Sequence, residues 1–200
     1  ELTLPALLQA MEGKRGLDSV PGLHLPQIGR VGPPALIQDM DTCPLARPES
    51  LGRDRKERDD FWLPFQTRRG CPLDCSYCST GSIEGRRIRK RSVAGVVANL
   101  KEFEQAGVRK VFFVDNTFNL PAGYARGLCQ SMLEAGLSLK WCAIVYPMGI
   151  DAGMADLMAR AGCIQVSLGF ESCSPAVLSS LNKRFSREEV RRVSEFFKTA

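Results

Sequence analysis

No apolar run in this sequence approaches the ~20 residues needed to span a bilayer, which argues against a membrane-crossing helix. The opening Glu1-Leu2-Thr3-Leu4 has neither the basic nor the apolar stretch of a secretory leader, so the chain reads as cytosolic (cytoplasmic), with no membrane partner. There is one histidine, His24, and no second Cys-x-x-Cys, so the four protein ligands that close a structural zinc site are missing. Excess charge is small: 27 Lys and Arg against 22 Asp and Glu give +5 and a pI of about 8.9, weak ground for an anionic partner. The absence of an initiator Met and an end in mid-helix at Lys198-Thr199-Ala200 predict a fragment of a longer protein. With 200 residues and 44% apolar content the chain suffices for one domain with a core and a piece of another.

Cysteine is plentiful. Eight of them, in a chain without a secretory signal, point to a reducing compartment where grouped cysteines mean metal or catalysis. Three lie within Arg69-Gly70-Cys71-Pro72-Leu73-Asp74-Cys75-Ser76-Tyr77-Cys78, spaced by three residues and then by two. Thiolates so spaced can converge on one metal or cluster, and three ligands leave one corner of a cubane cluster open to a small molecule. The bacterial ferredoxin run does not fit, because the first gap is a residue too long. The other five, Cys43, Cys129, Cys142, Cys163 and Cys173, are scattered, and core packing is expected for Cys129, Cys142 and Cys163.

Residues 1–13 predict a short helix capped by Thr3, with Leu4, Leu7, Leu8 and Met11 as an apolar stripe whose partner surface is missing from so short a piece. Pro21 to Pro48 reads as a Pro-rich connector, and Arg53 to Asp60 as a solvated mixed-charge run. From Phe61 an alternation begins. Phe61–Thr67 predicts a strand running into the cysteine loop, with Pro64 tolerable near an edge. Ser92 caps a helix that ends at Gly107, and Lys110–Val114 is the continuous run of a strand buried on both faces. The unit repeats: a helix from Pro121 to Gly136, a strand Leu139–Tyr146, a helix from Asp151 to Gly162 and a strand Cys163–Phe170. Period-2 alternation puts Ile164, Val166, Leu168 and Phe170 on one face of that last strand, and Gln165, Ser167 and Gly169 on a ligand-facing side. Ser174-Pro175 starts a short helix, and Ser186-Arg187-Glu188-Glu189 is a capping box for another. The result is an α/β class of about four strand–helix units with parallel strands and right-handed crossovers.

With Tyr77 as the aromatic, Cys-x-x-x-Cys-x-aromatic-Cys resembles the signature of the radical S-adenosylmethionine (radical SAM) enzymes. The resemblance implies a partial (βα)6-type barrel over residues 61–200, the N-terminal part of that core. It also implies reductive cleavage of S-adenosylmethionine at a [4Fe-4S] cluster to give a 5′-deoxyadenosyl radical, with a ferredoxin- or flavodoxin-type electron donor. Residues 1–60 resemble the tail of a preceding, cobalamin-binding domain and its linker, implying possible cobalamin-dependent methyl transfer or carbon-skeleton chemistry. The alternatives are a cobalamin-independent enzyme of methylthiotransferase or coproporphyrinogen-oxidase type, and a non-catalytic Fe–S module. His24 lacks the Asp-x-His-x-x-Gly context of a cobalamin ligand.

In parallel α/β folds the site lies at the C-terminal strand ends. The resemblance assigns Cys71, Cys75 and Cys78 as cluster ligands and Tyr77 as a neighbour of the adenine. Asp115-Asn116 ends strand two where family members often carry Gly-Gly-Glu, so Asp115 or Asn116 would replace those acceptors of the methionyl amino group. Tyr146-Pro147 ends strand three without the Arg of cobalamin-type relatives. Gly169-Phe170-Glu171-Ser172 matches the family's Gly-x-Glu-Ser, implying that Glu171 and Ser172 touch amino or ribose hydroxyl groups. No residue is assigned to catalysis or to the substrate. The run Arg86 to Arg91 lacks interleaved aromatics, so it reads as a solvated loop that screens negative charge, and a nucleic-acid partner is not expected.

Overall fold

The computed structural model describes residues 1–52 and 60–200, and the caps at Ser92, Asp151 and Ser186 form. The described residues form two compact units, Glu1–Cys43 and Pro44–Ala200. Residues 53–59 of the mixed-charge run lie outside the described residues.

In the first unit, helix α1 (Thr3–Met11) precedes an antiparallel hairpin of β1 (Leu23–Leu25) and β2 (Gly29–Val31). Thr3 is not the cap; its hydroxyl donates to the Pro21 carbonyl at 2.7 Å. Leu4, Leu8 and Met11 of the apolar stripe are exposed, as a stripe without its partner surface requires, and Ala6 is the buried residue.

The second unit is built on a four-stranded sheet in the order β3 (Leu63–Phe65), β6 (Lys110–Phe113), β7 (Lys140–Val145), β8 (Cys163–Leu168), every pair parallel. Helices α3 (Val93–Gln105), α4 (Ala122–Glu134) and α5 (Ala152–Arg160) make the crossovers, the first and third from capped starts and the second after Pro121. Ser92 Oγ accepts from Gly95 N, and the Asp151 carboxylate accepts from Met154 N. Helices α6 (Pro175–Ser180) and α7 (Arg187–Thr199) follow, the latter with both halves of its capping box formed by Ser186 and Glu189. Pro64 sits on edge strand β3, where its missing N–H costs no ladder bond to a further strand.

The core lies between this sheet and the helices. Leu63, Phe65, Val111, Phe113, Trp141, Ala143 and Val145 meet Val96, Leu100, Leu128, Met132 and Met158, with the Trp141 indole N–H donating to the Ala161 carbonyl at 2.8 Å. Only one face of β6 is buried, not both: Val111 and Phe113 point to the helices while Phe112 is half-buried on the other side.

Strand β8 also departs from strict alternation. A register shift sets Trp141 opposite Cys163 and Cys142 opposite Gln165, so Ile164 bulges out and is 54% exposed. Val166 and Leu168 pack on the core as expected, and Gln165 and Ser167 share the open face with Cys142 and Ile144.

Candidate active site at the cysteine loop

Strand β3 reaches the cysteine loop through β4 (Arg68–Arg69), which pairs with β5 (Arg89–Lys90). This corrects the reading of the basic run as wholly solvated: Arg89 and Arg91 are buried, and Arg91 N donates to the Thr67 carbonyl. Gly70 follows with φ +90°, and a Cβ there would strike the Arg87 carbonyl, so only glycine allows the loop to pass. The Gly70 N–H donates to Glu84 Oε2 at 2.9 Å, at the end of the short helix α2 (Thr80–Ile83).

The loop opens on a cavity of about 250 Å³ at the C-terminal ends of the sheet. Cys71, Cys75 and Cys78 line it with Tyr77, and every strand end contributes a further wall: Asp115 and Asn116 after β6, Tyr146 after β7, Gly169 and Glu171 after β8. Cys71 is buried, Cys75 half-buried and Cys78 exposed. Burial pushes the Cys71 thiol up, and the neighbouring Cys78 and Cys75 thiols push in the same direction. Among the described residues no three Cys, His, Asp or Glu side chains converge on a single ion. A cubane takes one thiolate at each of three irons, so its ligands stand farther apart than those of one ion. The donor set, three thiols on one cavity with no imidazole among its lining residues, fits a cluster.

Asp115 is fully buried. One oxygen accepts from Thr67 N (2.8 Å) and Arg68 N (3.1 Å), the other from Thr67 Oγ1 (2.6 Å), with Arg68 Nε at 3.3 Å. Burial raises its pKa and lowers that of Arg68, each opposed by the other's charge. Asn116 donates from Nδ2 to Glu84 Oε2 at 2.7 Å. Ser172 is not among the lining residues; its Oγ accepts from Ser174 N at 3.1 Å in the turn before α6.

Glu171 holds φ +59° and pairs with Lys183, whose Nζ lies 2.5 Å from Glu171 Oε2 and donates to the Gly169 carbonyl at 3.3 Å. Sequence reasoning missed Lys183, a lysine in a polar turn with no local mark. Its side chain is only 4% exposed and faces the rings of Tyr77, Tyr146 and Phe185 at 5.3–5.9 Å. Burial opposes its charge, but hydrogen bonds to Glu171 and Tyr77 outweigh that and hold the ammonium above the usual lysine range. Asn119 was missed as well. It is buried and fixes the end of β7 by donating to the Tyr146 and Met148 carbonyls and accepting from Tyr146 N.

A parallel α/β sheet with a three-thiol loop at its strand ends defines a class, and the comparisons specify it. Residues 66–200 match the Radical SAM superfamily, and the chain belongs to that family. It is 31% identical over 196 residues to an uncharacterized methyltransferase of Pyrococcus horikoshii, covering 94% of this chain and 42% of the relative. It is 32% identical over 129 residues to the bacteriochlorophyllide d C-12(1)-methyltransferase of Chlorobaculum tepidum, covering 62% of this chain and 28% of that protein. The fold matches TsrM of Kitasatospora setae, a radical S-adenosylmethionine methyltransferase solved with its tryptophan substrate and a SAM analog, with TM-score 0.80 and 21% identity over 98% of this chain and 42% of TsrM. It also matches OxsB, a cobalamin-dependent S-adenosylmethionine radical enzyme, with TM-score 0.74 and 21% identity over 96% of this chain and 30% of OxsB. The chain thus spans less than half the length of each. Among the described residues no helix is long and apolar enough to cross a membrane.

Proposed function

We propose that this chain carries the cluster-bearing part of a cobalamin-dependent radical SAM methyltransferase. The carrying observation is that Cys71, Cys75 and Cys78 line one cavity with Tyr77, Asn116, Glu171 and Lys183. Methyltransferase relatives on the same sequence pattern support methyl transfer. The cobalamin of the structural neighbours supports its use here, with residues 1–60 as the end and linker of the domain that binds it and residues 61–200 as the N-terminal part of the core.

Cys71, Cys75 and Cys78 are the ligands of a [4Fe-4S] cluster, which when bound supplies the electron for reductive cleavage of S-adenosylmethionine. Tyr77 offers a ring wall beside the cavity for the adenine. Glu171 and Asn116 supply polar groups for the methionyl and ribose ends, in a cavity that Val114, Ile144 and Val145 line with apolar surface. Asp115 is a strut rather than an acceptor for the cofactor. Its oxygens tie the end of β6 to Thr67 and Arg68, and so set where the cysteine loop begins. The electron comes from a flavodoxin- or ferredoxin-type carrier, and grouped cysteines, in a chain that has eight, suit a cytoplasmic setting.

The test is anaerobic reconstitution of the full-length protein, which should take up about four irons per chain and release 5′-deoxyadenosine or a methylated product from S-adenosylmethionine. Replacing any one of the three loop cysteines by Ala should abolish turnover and the intact cluster. A triple variant that still binds four irons would overturn the assignment, and full-length protein that does not retain cobalamin would overturn the cobalamin-dependent reading.

A further inference from the structure

The turn after α6 reaches across the fold to two different parts of the site. Toward the cysteine loop, Arg184 Nη2 pairs with Asp74 Oδ1 at 2.9 Å and Asn182 Nδ2 donates to the Asp74 carbonyl at 3.1 Å, over 110 and 108 residues of sequence. Beside them Ser76 donates through its N–H to the Leu181 carbonyl and through its hydroxyl to the Ser180 carbonyl, at 3.3 and 3.0 Å. Toward strand β8, the intervening Lys183 pairs with Glu171 and with the Gly169 carbonyl. One tripeptide therefore holds the cluster loop with its outer residues and the strand-end carboxylate with its central one.

Backbone strain marks the same connection. Among the described residues the non-glycine positions with positive φ are Glu171 (59°) and Asn182 (55°), at the two ends of this link. Such conformations persist where surrounding contacts over-determine them, and they concentrate at functional sites. Stability does not account for the arrangement. The Asp74–Arg184 pair is half-exposed, and pairs of that kind contribute little to folding.

We propose that Asn182-Lys183-Arg184 is a positioning strap that fixes the separation between the cysteine loop and Glu171. The inference rests on the function proposed above: a cofactor anchored at the open cluster corner and at the strand-four carboxylate needs those anchors at one distance. Lys183 and Arg184 act through Glu171 and Asp74, so they are positioning residues rather than catalytic ones.

The experiment uses the full-length, anaerobically reconstituted protein with Lys183→Met, Arg184→Ala and the charge swap Asp74→Arg with Arg184→Asp. Iron content, the electron paramagnetic resonance spectrum of the reduced cluster with and without S-adenosylmethionine, and KM and kcat for its cleavage are measured together. Lys183→Met should keep wild-type iron while raising KM about 10- to 100-fold, as loss of a charged hydrogen bond does, and should blunt the spectral change that the cofactor induces. Arg184→Ala should raise KM about threefold, and the swap should recover it. Wild-type KM and spectral response in both single variants would overturn the strap, as would a swap that recovers nothing. Should Lys183→Met prove insoluble, the exposed Asp74–Arg184 pair decides the matter alone. Wild-type protein that takes up no cluster would instead remove the functional reading beneath it.

Discussion

The two faces of the central sheet differ in what covers them. On the helix side every strand position from Leu63 and Phe65 through Val111, Phe113, Trp141, Ala143 and Val145 is buried. On the other side Phe112, Cys142 and Ile144 are half-buried, and Pro64, Gln165 and Ser167 are exposed. The first face holds the fold together through apolar burial and ring contacts such as Phe113 against Trp141 at 5.2 Å. The second leaves room above the strand ends, and there the thiols and polar groups gather. Apolar packing thus takes one side of the strands, while the thiols and polar groups line the cavity at their C-terminal ends.

The largest contrast should appear in thiol reactivity. Cys129 on α4 is buried against the helix side of the sheet, and burial pushes its thiol up to about 12. Cys129 is also closed to solvent, so a reagent reaches it only when the core opens, and an opening that costs about 4 kcal/mol slows labelling by about three orders of magnitude. Alkylation followed by mass spectrometry should therefore label exposed Cys173 about 1,000-fold faster than Cys129, until denaturant equalises them. Rates within tenfold would mean that this face is not sealed.

Side-chain truncation should sharpen the comparison. Trp141→Ala empties the centre of the helix side and should cost about 3–5 kcal/mol in denaturant unfolding, whereas Cys142→Ala, one residue on and facing the open side, should cost about 1 kcal/mol or less. Equal costs would show both faces packed alike. The smallest effect belongs to the bulge. Ile164→Ser should change stability by no more than about 0.5 kcal/mol, since its side chain points to solvent, while Val166→Ser should cost visibly more.

Much of the fold was legible because its signals are local. Ser92, Asp151 and Ser186 each act within three residues of themselves, and all three caps form where the sequence puts them. The capping of α1 by Thr3 failed, because that hydroxyl is taken by the Pro21 carbonyl 18 positions away, which no local spacing announces. Of the candidate site, spacing suggested that Cys71, Cys75 and Cys78 converge and the family resemblance made them ligands, while the strand ends after β6 and β8 came with the parallel order. The capture of Asp115 was not legible, because Thr67 and Arg68 lie 48 and 47 residues away and nothing near Asp115 announces them.

The sequence by itself therefore determined the strand–helix alternation, the helix starts and the three thiols, all of which depend on residues a few positions apart. Tertiary structure alone decided that Asp115 accepts from Thr67 and Arg68, that Ile164 bulges from β8, and that Lys183 lines the cavity while Arg184 clasps a loop 110 positions earlier. The reason is range: a backbone cap is satisfied by its own turn, but a buried charge is stable only beside a partner that the folded chain brings to it.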